Sequence, residues 1–175
     1  MAEAAYSKGL EGVVAGESTI CEIDGLKGEL FYRGYNVKEL VKQSNYEEII
    51  YLLLNEKLPT SAELNLFISK LRGGRDIVKP IQEMICSFPA AGSLMELLQS
   101  VITYLSGYVA HRIHHSTTCN CRDTMHQIGQ LPTVVAAYQR CKEGKPYCPP
   151  RDDLPHGANF LYMLRGEEPK DYEAD

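Results

Sequence analysis

The sequence predicts a mainly α-helical fold with a small β-hairpin region near its N-terminal end. Two observations separate these regions. Apolar residues recur at three- and four-residue spacing through most of the chain after residue 36, whereas the first 35 residues alternate short apolar runs with turn residues. Apolar residues make up 44% of the 175 positions, enough for a core. We expect one strand-and-turn segment (1–35), about seven helices (36–165) and a polar connector (166–175).

The N-terminal segment reads as short strands around turns. We expect strands at 13–15, 19–23 and 30–32. Asp24-Gly25 is a favoured hairpin dipeptide because both residues tolerate positive φ, and Gly34 indicates a second turn.

The helices are defined by their apolar periodicity and by their end signals. Asn36 and Asn45 are suitable N-caps, and Glu47 and Glu48 lie in a first turn, where the helix dipole favours acids. Pro132 either kinks a helix or opens a new one. The first predicted helix begins near Asn36. The others cover 46–54, 61–71 (ended by Gly73-Gly74), 76–87, 94–108, 124–141 and 155–165.

Charge and composition exclude several classes of protein. The net charge of −5 disfavours a nucleic-acid module, which needs a basic face. No apolar run approaches the ~20 residues that span a bilayer, and residues 1–16 contain no signal-peptide stretch. We therefore expect a cytoplasmic protein without membrane or nucleic-acid partners. Its six cysteines are then expected as free thiols: Cys21, Cys86, Cys119, Cys121, Cys141 and Cys148.

Four groups of motifs together resemble citrate synthase of the bacterial and archaeal type. They are GVVAGESTI at 12–20 with DG at 24–25 and YRGY at 32–35; EEIIYLLL at 47–54 with LPT at 58–60; LPTVVAAY at 131–138; and HGANFLYMLRG at 156–166. Each motif alone is weak, but their order and spacing match along nearly the whole chain. The sequence departs from the family before Leu94, where a His-Pro-Met sequence is usual and this chain has Ala91-Gly92-Ser93.

The resemblance implies a multi-helical fold corresponding to the N-terminal part of the large domain of a condensing enzyme. Such an enzyme joins the acetyl group of acetyl-CoA to oxaloacetate and then hydrolyses citryl-CoA. In the family, two histidines and one aspartate act as acids and bases, and all lie after the segment that matches 159–164. We therefore expect no catalytic or cofactor-binding residue in this chain, no cofactor, and no activity alone.

A cluster of histidines and cysteines raises the question of a zinc site. It consists of His111, His114, His115, Cys119, Cys121 and His126. The residue types suit zinc, but a single residue separates the two cysteines, whereas zinc knuckles use two to four. We expect a polar loop with reduced thiols and no metal site.

The remaining polar candidates favour structural roles. His156 lies at a helix start with no partner in sequence, so capping or packing is expected. Arg33 is expected to form an ion pair or to stack on a tyrosine. Gly9, Gly12 and Gly16 lack the strand-to-helix context of a phosphate loop, and Glu47 and Glu48 fit dipole compensation better than a carboxylate pair.

Two other kinds of protein are compatible with the sequence: a non-catalytic helical protein that acts by association, and a small metalloprotein that uses the His/Cys cluster. We also expect self-association through the 124–141 helix, whose face carries Leu131, Val134, Val135 and Tyr138. In the resembling family the matching helix packs at a two-fold dimer interface. A further expected partner is the remaining C-terminal part of the enzyme.

Overall fold

The computed structural model describes residues 9, 12–14, 16–108 and 121–170, with the backbone alone at 121–123. The chain divides into two compact units, Met1–Leu58 and Pro59–Asp175. Within the described ranges there are seven α-helices and one three-stranded antiparallel sheet, so the mainly α fold with a β-hairpin region is confirmed.

The sheet of the first unit contains β1 (Cys21–Asp24), β2 (Glu29–Tyr32) and β3 (Tyr35–Asn36), in that order. Asp24 pairs with Glu29, so four residues form the first turn. The Asp24 carboxylate closes this turn by accepting hydrogen bonds from the N–H groups of Leu26 (3.1 Å) and Lys27 (3.0 Å). The strand expected at 13–15 was wrong at its two described residues, 13 and 14, which adopt no regular structure.

The second turn has two residues and was predicted only through Gly34. Arg33 has φ 48° and Gly34 has φ 85°. Positive φ at both central positions is the geometry that matches the twist of paired strands. Strand β3, which pairs Tyr35 with Tyr32, was not expected from the sequence.

Both helices of the first unit begin where their caps predict. In α1 (Val37–Gln43) the Asn36 side chain accepts from the N–H of Lys38. In α2 (Tyr46–Asn55) Asn45 and Glu48 bond reciprocally in a capping box. In α1 Leu40 is buried, whereas Val41 is 76% exposed.

The second unit is a helical bundle in which α6 is central. Its helices are α3 (Ser61–Arg72), α4 (Lys79–Cys86), α5 (Leu94–Ser106), α6 (Cys121–Lys142) and α7 (His156–Arg165). Helix α6 contacts the other four and continues through Pro132. Pro132 removes one backbone hydrogen bond, but burial of the residues that follow it keeps the helix continuous. These include Thr133 and Val134, which are both fully buried.

The start of α5 shows why the departure from the family motif is tolerated. Ser93 accepts from the N–H of Glu96, and the Glu96 carboxylate accepts from the N–H of Ser93. Helix α5 thus begins at Leu94 through a complete capping box.

The core of the second unit lies between α4, α5 and α6. It consists of Ile77, Ile81, Ile85, Leu97, Val101, Leu105, Val134, Ala137 and Tyr138. Because Val134 and Tyr138 belong to this core, the α6 face expected to mediate self-association is largely occupied within the chain. Leu131 and Val135 remain half-buried.

Candidate functional site

The most developed polar arrangement of the second unit surrounds Arg75, just after α3. The Arg75 side chain is 1% exposed. Its Nη1 donates hydrogen bonds to the carbonyls of Arg151 (2.9 Å) and Leu154 (2.8 Å). Both carbonyls lie in the α6–α7 loop (143–155), so a single guanidinium ties the end of α3 to a loop more than 70 residues later.

Asp76 extends this network and delays the start of α4. One carboxylate oxygen of Asp76 accepts from the N–H of Ile77 (2.8 Å) and from the hydroxyl of Tyr147 (2.7 Å). Its carbonyl accepts from Gln130 Nε2 at 3.0 Å. The helix predicted from residue 76 therefore begins only at Lys79, because bonds to α6 and to the loop hold 75–77 outside a helix.

Side chains of helices α6 and α7 also hold the network and the α6–α7 loop in place. The Thr133 hydroxyl donates to the Arg75 carbonyl at 2.8 Å, and Arg140 Nε donates to the Pro146 carbonyl at 2.6 Å. The Asn159 side chain of α7 accepts from the N–H of Arg151 at 2.8 Å.

Three titratable groups of this network, Arg151, Asp153 and Tyr147, have pKa values shifted away from neutral pH. Arg151 pairs with Asp153 and Glu168 and lies 5.4 Å from the centre of the Tyr162 ring. The hydrogen bond from Arg151 holds the pKa of Asp153 below its ordinary value, and the bonds to Asp153 and Glu168 raise the pKa of Arg151. Burial and then the bond to Asp76 raise the pKa of Tyr147. None of these three groups is suited to exchange a proton near pH 7.

The network therefore positions the loop rather than supplying acid–base chemistry. Arg75, Asp76 and Arg151 were not predicted from the sequence. No local signal could have revealed them, because their partners are distant in the chain.

Two of the histidines singled out in the sequence lie among the described residues. His156 is 8% exposed in the first turn of α7, a position consistent with the expected packing. His126 is exposed on α6 and its ring lies against Gly74, where an added Cβ would meet Nδ1 at 3.1 Å.

The side chains of the other members of the His/Cys cluster fall outside the part of the chain that the structure describes. His111, His114, His115 and Cys119 lie outside the described residues, and the side chain of Cys121 is not described. Among the described residues no group of three His, Cys, Asp or Glu could hold a metal ion. The absence of a metal site stays a prediction.

Arg33 forms the ion pair that was one of its two expected roles. Its Nη1 lies 3.3 Å from Glu56 Oε1 and donates to Thr19 Oγ1 at 2.6 Å, while Nη2 donates to the Leu53 carbonyl at 3.0 Å. These contacts hold Arg33 in its left-handed conformation. Glu47 lies in the first turn of α2, as expected, and is only 6% exposed.

Cysteine pairing differs from the expectation of free thiols. Cys86 and Cys141 are joined by a disulfide. Cys21, which is exposed, and Cys148, which is half-buried, are free. The expectation was wrong for the bonded pair because the packing of α4 on α6 brings together two residues 55 positions apart, a proximity that no local pattern reveals.

Comparison with known proteins decides the family. The family model described as "Citrate synthase, C-terminal domain" matches residues 9–175. This chain belongs to the citrate synthase family. Citrate synthase of Haloferax volcanii is 36% identical over 172 residues, which are 96% of this chain and 45% of that protein. A 2-methylcitrate synthase of Mycobacterium tuberculosis is 31% identical, over 93% of this chain and 41% of that protein.

Solved citrate synthase structures agree with this assignment. The enzyme from Pyrobaculum aerophilum superposes with a TM-score of 0.83 at 34% identity, covering 94% of this chain and 43% of that chain. The Thermoplasma acidophilum enzyme gives a TM-score of 0.87 at 23% identity, which supports the fold alone. This citrate synthase family chain thus spans less than half the length of these relatives. In its described part no helix has both the length and the apolar character needed for a bilayer crossing.

Proposed function

We propose that this chain is the N-terminal part of the large domain of a citrate synthase. The complete enzyme condenses the acetyl group of acetyl-CoA with oxaloacetate and hydrolyses the resulting citryl-CoA, in the cytoplasm. The observation that carries the proposal is the match to a citrate synthase over 96% of this chain but 45% of the relative.

The chain supplies a scaffold and is inactive alone. The charged side chains around Arg75 and Arg151 hold the α6–α7 loop. Enolisation of an acyl-CoA needs a positioned base, and proton transfer of this kind contributes roughly 10²–10⁴-fold to a rate. The resemblance assigns that base, and the acid at the oxaloacetate carbonyl, to a segment that follows the one matching 159–164.

An activity assay with complementation tests this proposal. Purified chain is incubated with acetyl-CoA and oxaloacetate, and citrate is quantified by mass spectrometry, so that the protein's own thiols do not interfere. We expect no citrate from the chain alone. We expect citrate from a fusion of the chain to the part of the H. volcanii enzyme that it does not match. Citrate formation by the chain alone, dependent on both substrates, would contradict the proposal.

A second substrate is favoured by one specific relative, the M. tuberculosis 2-methylcitrate synthase. A product with one more methyl group requires an acyl-CoA one carbon longer, namely propionyl-CoA. The fusion should therefore be assayed with both acyl donors. Because the fused part brings its own specificity, a change in the acetyl-to-propionyl preference relative to intact H. volcanii enzyme measures the contribution of this chain.

We also propose that the chain self-associates and binds the remaining part of the enzyme. Support for self-association comes from the surface between α6 and α7, where half-buried Val135, Phe160 and Leu164 line a cavity of about 590 Å³ together with polar and charged side chains. Light scattering at micromolar concentration should detect a dimer that Val135→Glu weakens. Val41→Glu, the same change at a 76% exposed position of α1, is the control. A monomer at all concentrations would contradict self-association.

A further inference from the structure

The disulfide between Cys86 and Cys141 joins the ends of two core helices. Cys86 is the last residue of α4, and Cys141 is the last but one of α6. Their Cα atoms lie 5.3 Å apart, within the 4.4–6.8 Å range that a disulfide can bridge. One turn before Cys141, the Tyr138 hydroxyl donates to the Gly92 carbonyl at 3.1 Å. The same end of α6 therefore also holds the α4–α5 connection.

The two sulfur-bearing residues differ in exposure. Cys86 is exposed, whereas Cys141 is half-buried and packs against the core. Thiol–disulfide exchange requires that an attacking thiolate reach a sulfur atom. Cys86, the more exposed residue, is the better placed of the two for that attack, with Cys141 as the leaving group.

We propose that Cys86 and Cys141 form a reversible redox clamp between α4 and α6, opened by small thiols and closed by small disulfides such as oxidised glutathione. In opening, a glutathione thiolate attacks the Cys86 sulfur, the protein S–S bond breaks and Cys141 leaves as a thiolate. A second glutathione thiolate then attacks the mixed disulfide and releases Cys86. Two glutathione molecules are oxidised to one disulfide, and their two protons pass to the two cysteines.

Closing the clamp stabilises the fold, because it restricts the unfolded chain. A cross-link over 55 residues removes much of the loop-closure entropy of the unfolded state. For a chain of this size the resulting stabilisation raises Tm by roughly 5–15 °C in the oxidised protein.

Peptide mapping of the full chain tests whether the bond is reversible. The protein is equilibrated anaerobically with excess oxidised or excess reduced glutathione, alkylated and digested with trypsin. In oxidised buffer we expect peptide 76–112 linked to the dipeptide Cys141-Lys142, and in reduced buffer both peptides alkylated. A link that persists in the folded chain in reduced buffer would overturn the reversible clamp, as would two free thiols in oxidised buffer.

Thermal unfolding in the same two buffers tests the stabilisation. The wild-type chain and Cys148→Ser should show the higher Tm in oxidised buffer. Cys86→Ser and Cys141→Ser should give the same Tm in both buffers. A shift retained in either of these two variants would assign the effect to other cysteines. If the wild-type chain shows no difference in Tm between the two buffers although the disulfide is mapped, the disulfide does not stabilise the fold and the clamp is refuted.

Discussion

Replacing Arg75 by methionine tests whether the network around it holds the second unit together. Methionine approximates the length of the arginine stem and introduces no new polar group. The change removes the donor of two hydrogen bonds, to the carbonyls of Arg151 and Leu154. Because Arg75 is 1% exposed, we expect water to replace these bonds poorly.

The expected loss follows from the number and type of the bonds. A hydrogen bond that involves a charged group contributes about 1.5–3 kcal/mol, and a buried acceptor left without its donor costs about 1–3 kcal/mol. Two bonds would give about 3–6 kcal/mol. Removing a buried charge offsets part of this, since its desolvation cost also disappears. We therefore expect the free energy of unfolding to fall by about 2–4 kcal/mol, and Tm to fall by about 4–16 °C.

Urea unfolding, followed by circular dichroism at one fixed redox condition, measures this loss. Arg72→Met is the matched control. Arg72 lies three residues earlier and is half-buried, and its charge is a minor cause of the lowered pKa of Asp153. We expect it to cost less than about 1 kcal/mol. If Arg75→Met costs no more than Arg72→Met, the network does not stabilise the second unit, and the reasoning is refuted.

Three further changes probe other parts of the structure. Gly129→Ala places a Cβ 3.1 Å from the carbonyl oxygen of Leu71 and should lower the free energy of unfolding in urea by about 1–3 kcal/mol. The control Gly107→Ala, whose nearest contact is at 3.4 Å, should be neutral or stabilising. Equal effects of the two changes would contradict the close approach of α3 and α6. Asn45→Ala should cost about 1 kcal/mol, and no loss of stability would contradict the capping box. The pKa of Asp153 is lowered on folding, so the stabilisation that Asp153 contributes is complete above its unfolded pKa of about 3.9 and is lost as pH falls through the lower folded value. Asp153→Asn should flatten this part of a curve of stability against pH. An unchanged curve would contradict the pairing of Asp153 with Arg151.

The sequence by itself determined the features that depend on near neighbours. The caps at Asn36 and Asn45 were predicted correctly, because a cap side chain bonds to N–H groups two or three residues away. The β1–β2 hairpin followed from Asp24-Gly25, although the actual turn has four residues. Apolar periodicity predicted the seven helices found among the described residues, and four groups of motifs in register gave the family.

Only the tertiary structure decided which side chains of these elements meet. The apolar pattern predicted a helix from Asp76. Hydrogen bonds from Tyr147 in the α6–α7 loop and Gln130 in α6 keep Asp76 outside α4. Val134 looked available for a partner and is instead core. Cys86 and Cys141 are close only because α4 packs on α6. Contacts between residues 50 or more positions apart depend on how all the helices pack together. The apolar periodicity of one helix shows which of its faces is buried, but not which residues of a neighbouring helix contact that face.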